Sequence, residues 1–297
     1  MTVRPSVRVL LTGASGMLAK ALTASVPESV ALAAFSHREL DIRNRNDVRA
    51  AVADHAADWL INTAAYTAVD RAEGDEVTAH EVNADGVRIL AAAAFEAGAG
   101  VLHFGSDYVF DGTSTAPYDE GAATHPLSAY GRSKLAGEKA LISSGARYLL
   151  IRTQWLFGSG GGCFPKTMWT RARQGLPTRV VADQFGVPTF TDDLASATWR
   201  LLGCTGVLHV VNEGSASWYD VACSVFEAAS AADKLTACAT SDFPVAAQRP
   251  ARALLATTRL REMGIMLPHW RDAMTRFLHQ LAQESPLESL PASTGPV

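Results

Sequence analysis

A chain of 297 residues, 48% hydrophobic and 19% charged, is long enough for one large α/β domain with an appended lobe and too apolar to be disordered. Its formal net charge of -4 is mild, and its Lys and Arg residues are scattered without a basic stripe, which argues against a nucleic-acid partner. No apolar run approaches the roughly 18 residues of a spanning helix, because Glu96 breaks the alanine-rich stretch near Ala91, so no membrane partner is expected.

In chain order, Met1 to Pro5 leads straight into a strand pattern and carries neither an apolar core nor a cleavage site for export. Short apolar runs then alternate with alanine-rich helical stretches. Strands are expected at Val7 to Thr12, Val30 to Phe35, Trp59 to Asn62, Gly100 to Ser106 and Tyr148 to Arg152, with helices beginning near Met17, Asn46, Glu76 and Leu127. Continuous apolar strands joined by helices predict an α/β fold: a doubly wound, Rossmann-like parallel sheet covered on both faces. After Thr153 the rhythm loosens through Gly158-Ser159-Gly160-Gly161-Gly162 and a proline-punctuated segment to Pro188. A helix from Thr191 to Leu202 and a late strand, Val207 to Val211, return to the sheet. The expected division is therefore a nucleotide-binding domain over 1–153 with about 191–211, a smaller lobe over about 154–190 and 212–283, and a frayed tail over 284–297. Cys163, Cys204, Cys223 and Cys238 are far apart, and no His and carboxylate cluster has ligand spacing. No metal is expected, and a cytoplasmic protein with reduced thiols follows.

Thr12-Gly13-Ala14-Ser15-Gly16-Met17-Leu18-Ala19 follows the first strand and opens the first helix. Glycines there permit a tight turn and let a pyrophosphate approach backbone amides at the positive end of a helix, although a plain turn has the same pattern. Ala19 stands at the third fingerprint position, whose role is close packing of helix on strand. The end of the second strand, about 20 residues on, selects between nicotinamide cofactors. An acidic residue there would hold ribose hydroxyls, but the chain offers Phe35-Ser36-His37-Arg38, whose Ser36 and Arg38 suit an extra phosphate. NADPH is the expected cofactor and NADH the alternative. In Leu40-Asp41-Ile42, Asp41 can accept from an adenine amino group or cap the following helix.

Asn62-Thr63-Ala64-Ala65-Tyr66 follows the third strand, where small residues leave room for a cofactor, and Ser106 ends the fourth. Tyr130 and Lys134 stand four apart, on one helix face. A phenol with pKa about 10 is a poor proton donor or acceptor at neutral pH unless a nearby cation such as Lys134 makes its anion cheaper. The same spacing also occurs in ordinary solvated pairs, so the surrounding motifs decide its meaning.

Those motifs are Gly13-Ala14-Ser15-Gly16, the run from Asn62 to Glu73, Val82-Asn83, Ser106-Asp107-Tyr108-Val109-Phe110-Asp111-Gly112, and Tyr130 with Lys134. Downstream come Arg152-Thr153-Gln154-Trp155-Leu156-Phe157, Asp183 to Thr189, and Arg249-Pro250. Together they resemble extended short-chain dehydrogenases/reductases and, more narrowly, the dTDP-4-dehydrorhamnose reductase family, over nearly the whole chain. The resemblance implies NADPH-dependent reduction of the C4 ketone of a dTDP-4-keto-6-deoxyhexose, with dTDP-4-dehydro-L-rhamnose the first candidate. Tyr130 would protonate the C4 oxygen, Lys134 would hold the nicotinamide ribose, and Ser106 would orient the ketone. Gly13, Ser15, Gly16, Met17, Leu18, Ser36, His37, Arg38, Asp41, Ile42, Asn62, Ala64, Ala65 and Tyr66 would line the cofactor. Val69, Asp107, Tyr108 and Trp155 would line the sugar pocket, with Gln184 and Arg249 toward the nucleotide diphosphate.

Two departures stand out. Ser106 occupies a position where the family commonly has Thr, and Ala251-Arg252-Ala253-Leu254 replaces the usual Asn-Ser pair before the leucine. Reductases of other nucleotide-linked deoxysugars, as in natural-product glycosylation, would share the catalytic motifs. Tyr108 takes the place of the acidic residue expected of a dehydratase. A sugar-nucleotide epimerase and a non-catalytic NADP-binding regulatory subunit are the remaining alternatives, the latter disfavoured by the intact Ser106, Tyr130 and Lys134. Relatives commonly pair, so the resemblance allows a homodimer.

Overall fold

The computed structural model describes residues 7–284. Glu284 closes the last helix, Trp270–Glu284, and the rest of the tail expected over 284–297 lies outside the described residues. Six parallel strands form the central sheet: β1 (Val7–Thr12), β2 (Val30–Phe35), β3 (Trp59–Asn62), β4 (Gly100–Ser106), β5 (Arg147–Thr153) and β6 (Gly206–His209). Their order is β6-β5-β4-β3-β1-β2, so the winding reverses between β1 and β3. In sheets of this kind that switch point opens a crevice at the carboxyl ends of the strands.

Alternation along each strand sends neighbours to opposite faces. Val9 and Leu11 join Leu18 and Leu22 of helix α1 (Met17–Ala24) and Leu194 and Leu201 of the returning helix Thr191–Leu201. Leu10 faces the other way, toward Val48 and Val52 of α2 (Arg45–Asp54) and Leu90 and Ala94 of α3 (Gly86–Ala97). A separate aromatic core, with Phe157, Phe190, Phe226, Trp270 and Phe277, fills the lobe.

The expected elements are present with shifted ends. β5 is longer by one residue at each end, and β6 covers Gly206–His209 where Val207 to Val211 was expected. The helix expected near Leu127 is α4 (Ala129–Ile142), because Ser128 caps it by accepting from the Gly131 amide. The cap of α2 is Asn44, not Asp41, whose carboxylate is paired with Arg43. Before α3, the helical chain passes from Glu76–His80 through a π-turn at Glu81–Asp85. Such insertions re-aim side chains, frequently at functional sites, and this one contains Asn83.

Candidate active site

The glycine turn is pinned between strand ends. Gly13 has φ +76, and a Cβ on it would lie 2.6 Å from the Ala64 amide nitrogen, so only glycine fits. The Ala14 amide donates to the Phe35 carbonyl at 2.9 Å, and Gly16 donates back to Gly13 at 2.9 Å. Gly16 is the cap of α1 and supplies no side-chain acceptor, while Ser15 and Gly16 are exposed. Uncapped amides at a helix start, with backbone close behind, suit a pyrophosphate. Met17 and Leu18 open the helix, and Lys20 donates to the Gly160 carbonyl at 2.7 Å, setting Gly160 and Gly161 against the helix's first turn.

At the end of β2, Ser36, His37 and Arg38 lie beside this turn, His37 and Arg38 being exposed. Ser36 is engaged by Glu39, which sequence reading passed over: its carboxylate accepts from both the Ser36 amide and hydroxyl. Asp41 is held below the usual carboxylate range, first by the Arg43 guanidinium. Ile42 is buried and packs where Gly86 lacks a side chain.

The segment after β3 is fastened from two sides. Asn62 accepts from Thr12 Oγ1 at 2.7 Å and from the Ala64 amide at 3.1 Å, and its Nδ2 lies 3.0 Å from His103 Nδ1. Burial, with the cation of Lys134 nearby, holds His103 far below its ordinary pKa. Asn83 then clamps the backbone of Tyr66: its Oδ1 accepts from the Tyr66 amide at 2.9 Å, and its Nδ2 donates to the Tyr66 carbonyl at 3.0 Å and to Ser133 Oγ at 2.9 Å. Ala64 and Ala65 are thereby held along the crevice, half-buried.

Tyr130 and Lys134 come from the first two turns of α4, whose Ala129 amide donates to the Glu73 carboxylate at 2.8 Å. Ser106 ends β4 beside them. Its hydroxyl donates to Asp107 Oδ1 at 3.0 Å and accepts from the Tyr108 amide at 3.2 Å. Burial pushes the Tyr130 phenol up to about 12; the Asp107 carboxylate pushes the same way and a hydrogen bond with Ser106 opposes them. Lys134 is buried and donates to the Phe104 carbonyl at 2.6 Å. Burial draws its pKa down to about 8, against the favourable charge of Glu138. Glu138 forms a buried pair with Arg152 at 2.8 Å, in the space left by the missing side chain of Gly105. Asp107 is likewise buried, and desolvation pushes it up to about 7 although Ser106 and Gln154 hydrogen-bond to it. Tyr108 lies edge-on to Tyr130, ring centres 5.3 Å apart, and burial raises its pKa.

Residues past β5 meet the strand-end residues, Gln154 donating to Asp107 Oδ2 at 3.1 Å. Trp155 has φ +47 and stacks on Trp218 at 3.7 Å, and Gly186 leaves room for its indole. Arg249 reaches across to Asp70 at 2.6 Å, one residue past Val69, and the Ala247 amide donates to the same carboxylate at 3.0 Å. Its charge also faces Tyr108. Gln184 is buried with its amide donating to Thr240 at 3.1 Å, which ties it to the turn formed by Asp183 and Thr240. Glu138 and Glu39 are the candidate-site residues that sequence reasoning missed, and Asn83 was read only as part of a motif, without a role. Gly137 and Gly105 were available signals, since each is small where Asn83 and Glu138 press against it.

A doubly wound parallel sheet, a glycine turn at its switch point, and a Tyr-Lys helix beside a strand-end hydroxyl define a Rossmann-fold oxidoreductase of the short-chain dehydrogenase/reductase type. A family model described as the RmlD substrate binding domain matches residues 7–283, and the chain belongs to that family. It is 41% identical over 287 residues to a Streptomyces antibioticus protein named probable dTDP-4,6-dihydroxy-2-methyloxan-3-one 4-ketoreductase, covering 94% of this chain and 97% of that one. It is 36% identical over 291 residues to the dTDP-4-dehydrorhamnose reductase of Escherichia coli K12, with 92% and 97% covered. The crystal structure of dTDP-4-dehydrorhamnose reductase from Bacillus anthracis in complex with NADP superposes with a TM-score of 0.90 at 35% identity, over 93% of this chain and 99% of that one.

Proposed function

We propose that this protein reduces the C4 ketone of a dTDP-4-keto-6-deoxyhexose with NADPH, converting dTDP-4-dehydro-L-rhamnose to dTDP-L-rhamnose. The observation that carries this reading is the convergence of Ser106, Tyr130 and Lys134 at the carboxyl edge of the sheet, next to a glycine turn that opens a helix start with no side-chain cap, which suits a dinucleotide. Bound NADPH supplies the hydride. The chain's own residues hold the ketone and move the proton. A phenol with its pKa near 12 stays protonated at neutral pH, so Tyr130 is a donor in the state that meets substrate. Ser106, on releasing its bond to Asp107, donates its hydroxyl to the ketone oxygen, and the cation of Lys134 stabilises the phenolate that proton transfer leaves behind.

The sheet with its helices holds the cofactor through the glycine turn, Ser36, Arg38 and the segment from Asn62 to Tyr66. The lobe, through Trp155 and Arg249, receives the sugar nucleotide together with Val69, Asp107 and Tyr108. Among the described residues no helix is long and apolar enough to cross a membrane, and all four cysteines are free, in keeping with a cytoplasmic place of work. A second reading, a 4-ketoreductase for another nucleotide-linked deoxysugar, is favoured by the likeness to the Streptomyces antibioticus protein and by Ala251-Arg252-Ala253 in the segment beside Phe185. The test is nicotinamide oxidation by purified protein over a panel of nucleotide-linked 4-ketosugars, with NADPH and NADH in parallel. Turnover of the dTDP-4-keto-6-deoxy sugars supports the proposal; no turnover of any panel member overturns it.

A further inference from the structure

The corner at the end of β2 holds an anion receptor that is already filled from within the chain. Ser36 offers its amide and its hydroxyl, and both donate to one oxygen of Glu39, at 2.8 and 2.7 Å. The turn that brings Glu39 back is closed by the Glu39 and Leu40 amides, which donate to the Ser36 carbonyl at 3.1 and 3.0 Å. Ser36 directly follows Phe35, the residue that receives the glycine-turn amide of Ala14, so this receptor opens beside the dinucleotide cradle. Arg38 is exposed and makes no ion pair among the described residues, while His37 Nδ1 lies 3.9 Å from Asp41. A phosphate on the adenosine ribose would find an amide, a hydroxyl and a guanidinium in this corner, the donor set that anions select. It would also find Glu39 in its seat.

We propose that Glu39 is a specificity-determining residue: an internal carboxylate that occupies the seat of the adenosine 2'-phosphate and must swing aside for NADPH, but not for NADH, to bind. This rests on the nicotinamide reading given above. The carboxylate is exposed and holds no partner beyond Ser36 in the described structure, so its side chain is free to rotate away. The hydrogen bonds it surrenders are returned to Ser36 by the incoming phosphate. What remains is repulsion between two anions a few ångströms apart in a solvated corner, a moderate and salt-sensitive penalty. Glu39 therefore narrows the preference for NADPH without abolishing it. The two hydrogen bonds also hold the carboxyl below its ordinary pKa.

The test is direct binding, by isothermal titration, of adenosine 2',5'-bisphosphate and of 5'-AMP to the wild type and to Glu39→Gln. Glutamine keeps an acceptor for Ser36 and removes the charge. Bisphosphate should bind about tenfold more tightly to the variant while 5'-AMP binds unchanged, and the gain should shrink as salt rises. Glu39→Ala, checked by thermal melting for an intact fold, should move the ratio of the two affinities in the same direction. An unchanged ratio in both variants would reduce Glu39 to a cap of its own turn and overturn the proposal. Binding of neither ligand to the wild type would instead overturn the nicotinamide reading, and this proposal with it.

Discussion

Replacing Glu138 with glutamine should damage stability and shift the pH dependence of catalysis together. The Glu138 and Arg152 side chains are 1% and 6% exposed, with Arg152 Nη2 and Nε donating to Glu138 Oε2 at 2.8 and 3.1 Å. Removing one partner of such a pair leaves a buried charge unpaired and costs about 3–5 kcal/mol. Glutamine retains an acceptor oxygen and Arg152 keeps a bond to the Glu120 carbonyl, so the lower end, about 3 kcal/mol, is expected. At roughly 2–4 °C per kcal/mol for a chain of this order, the melting temperature should fall by about 6–12 °C. The second consequence concerns Lys134. Its pKa of about 8 is a balance of burial, which lowers it, and Glu138, which raises it. Without Glu138 the ammonium deprotonates at lower pH, so the loss of NADPH oxidation on raising pH should set in earlier than in the wild type. Calorimetry and a pH–rate profile measure the two effects. A melting temperature within about 2 °C of wild type, together with an unmoved alkaline limb, would refute this account of the pair.

Tyr130→Phe should lower turnover by about 10²–10⁴-fold with little change in cofactor affinity, and undiminished turnover would remove Tyr130 as the acid. Gly13→Ala must place a side chain at φ +76 and against Ala64, a conformational strain of roughly 1–2 kcal/mol before any clash. NADPH affinity in a fluorescence titration should drop by about tenfold or more, and wild-type affinity would show that the turn does not touch the cofactor. Asp107 has its pKa raised from 3.8 to about 7, so the folded state holds the extra proton and stability declines as pH rises from about 4 to about 7. Asp107→Asn should remove that decline, worth up to about 4 kcal/mol, in urea unfolding at acid and neutral pH. Parallel pH dependence in wild type and variant would exclude Asp107 as its source.

The parts of the site legible in the chain are those built from near neighbours. The strand, glycine turn and helix around Gly13 lie within one short span, and the spacing of Tyr130 and Lys134 follows from helix periodicity. The Ser36 to Glu39 contact is also local. It escaped notice because a strand end is read for the residues that point forward, and Glu39 acts by folding back.

Sequence by itself determined the alternation of strands and helices, the carboxyl edge of the sheet, and the side chains proposed to react, because hydrophobic period and turn chemistry are written in adjacent residues. Tertiary structure alone decided their partners. Asp70 meets Arg249, Trp155 meets Trp218, and Glu138 meets Arg152 only when the lobe and the helices close on the sheet. It also set Gln184 against Thr240. Charge pairing and desolvation depend on distance through space, so the acidity of Asp107, Tyr130 and Lys134 is a property of packing that no local pattern encodes.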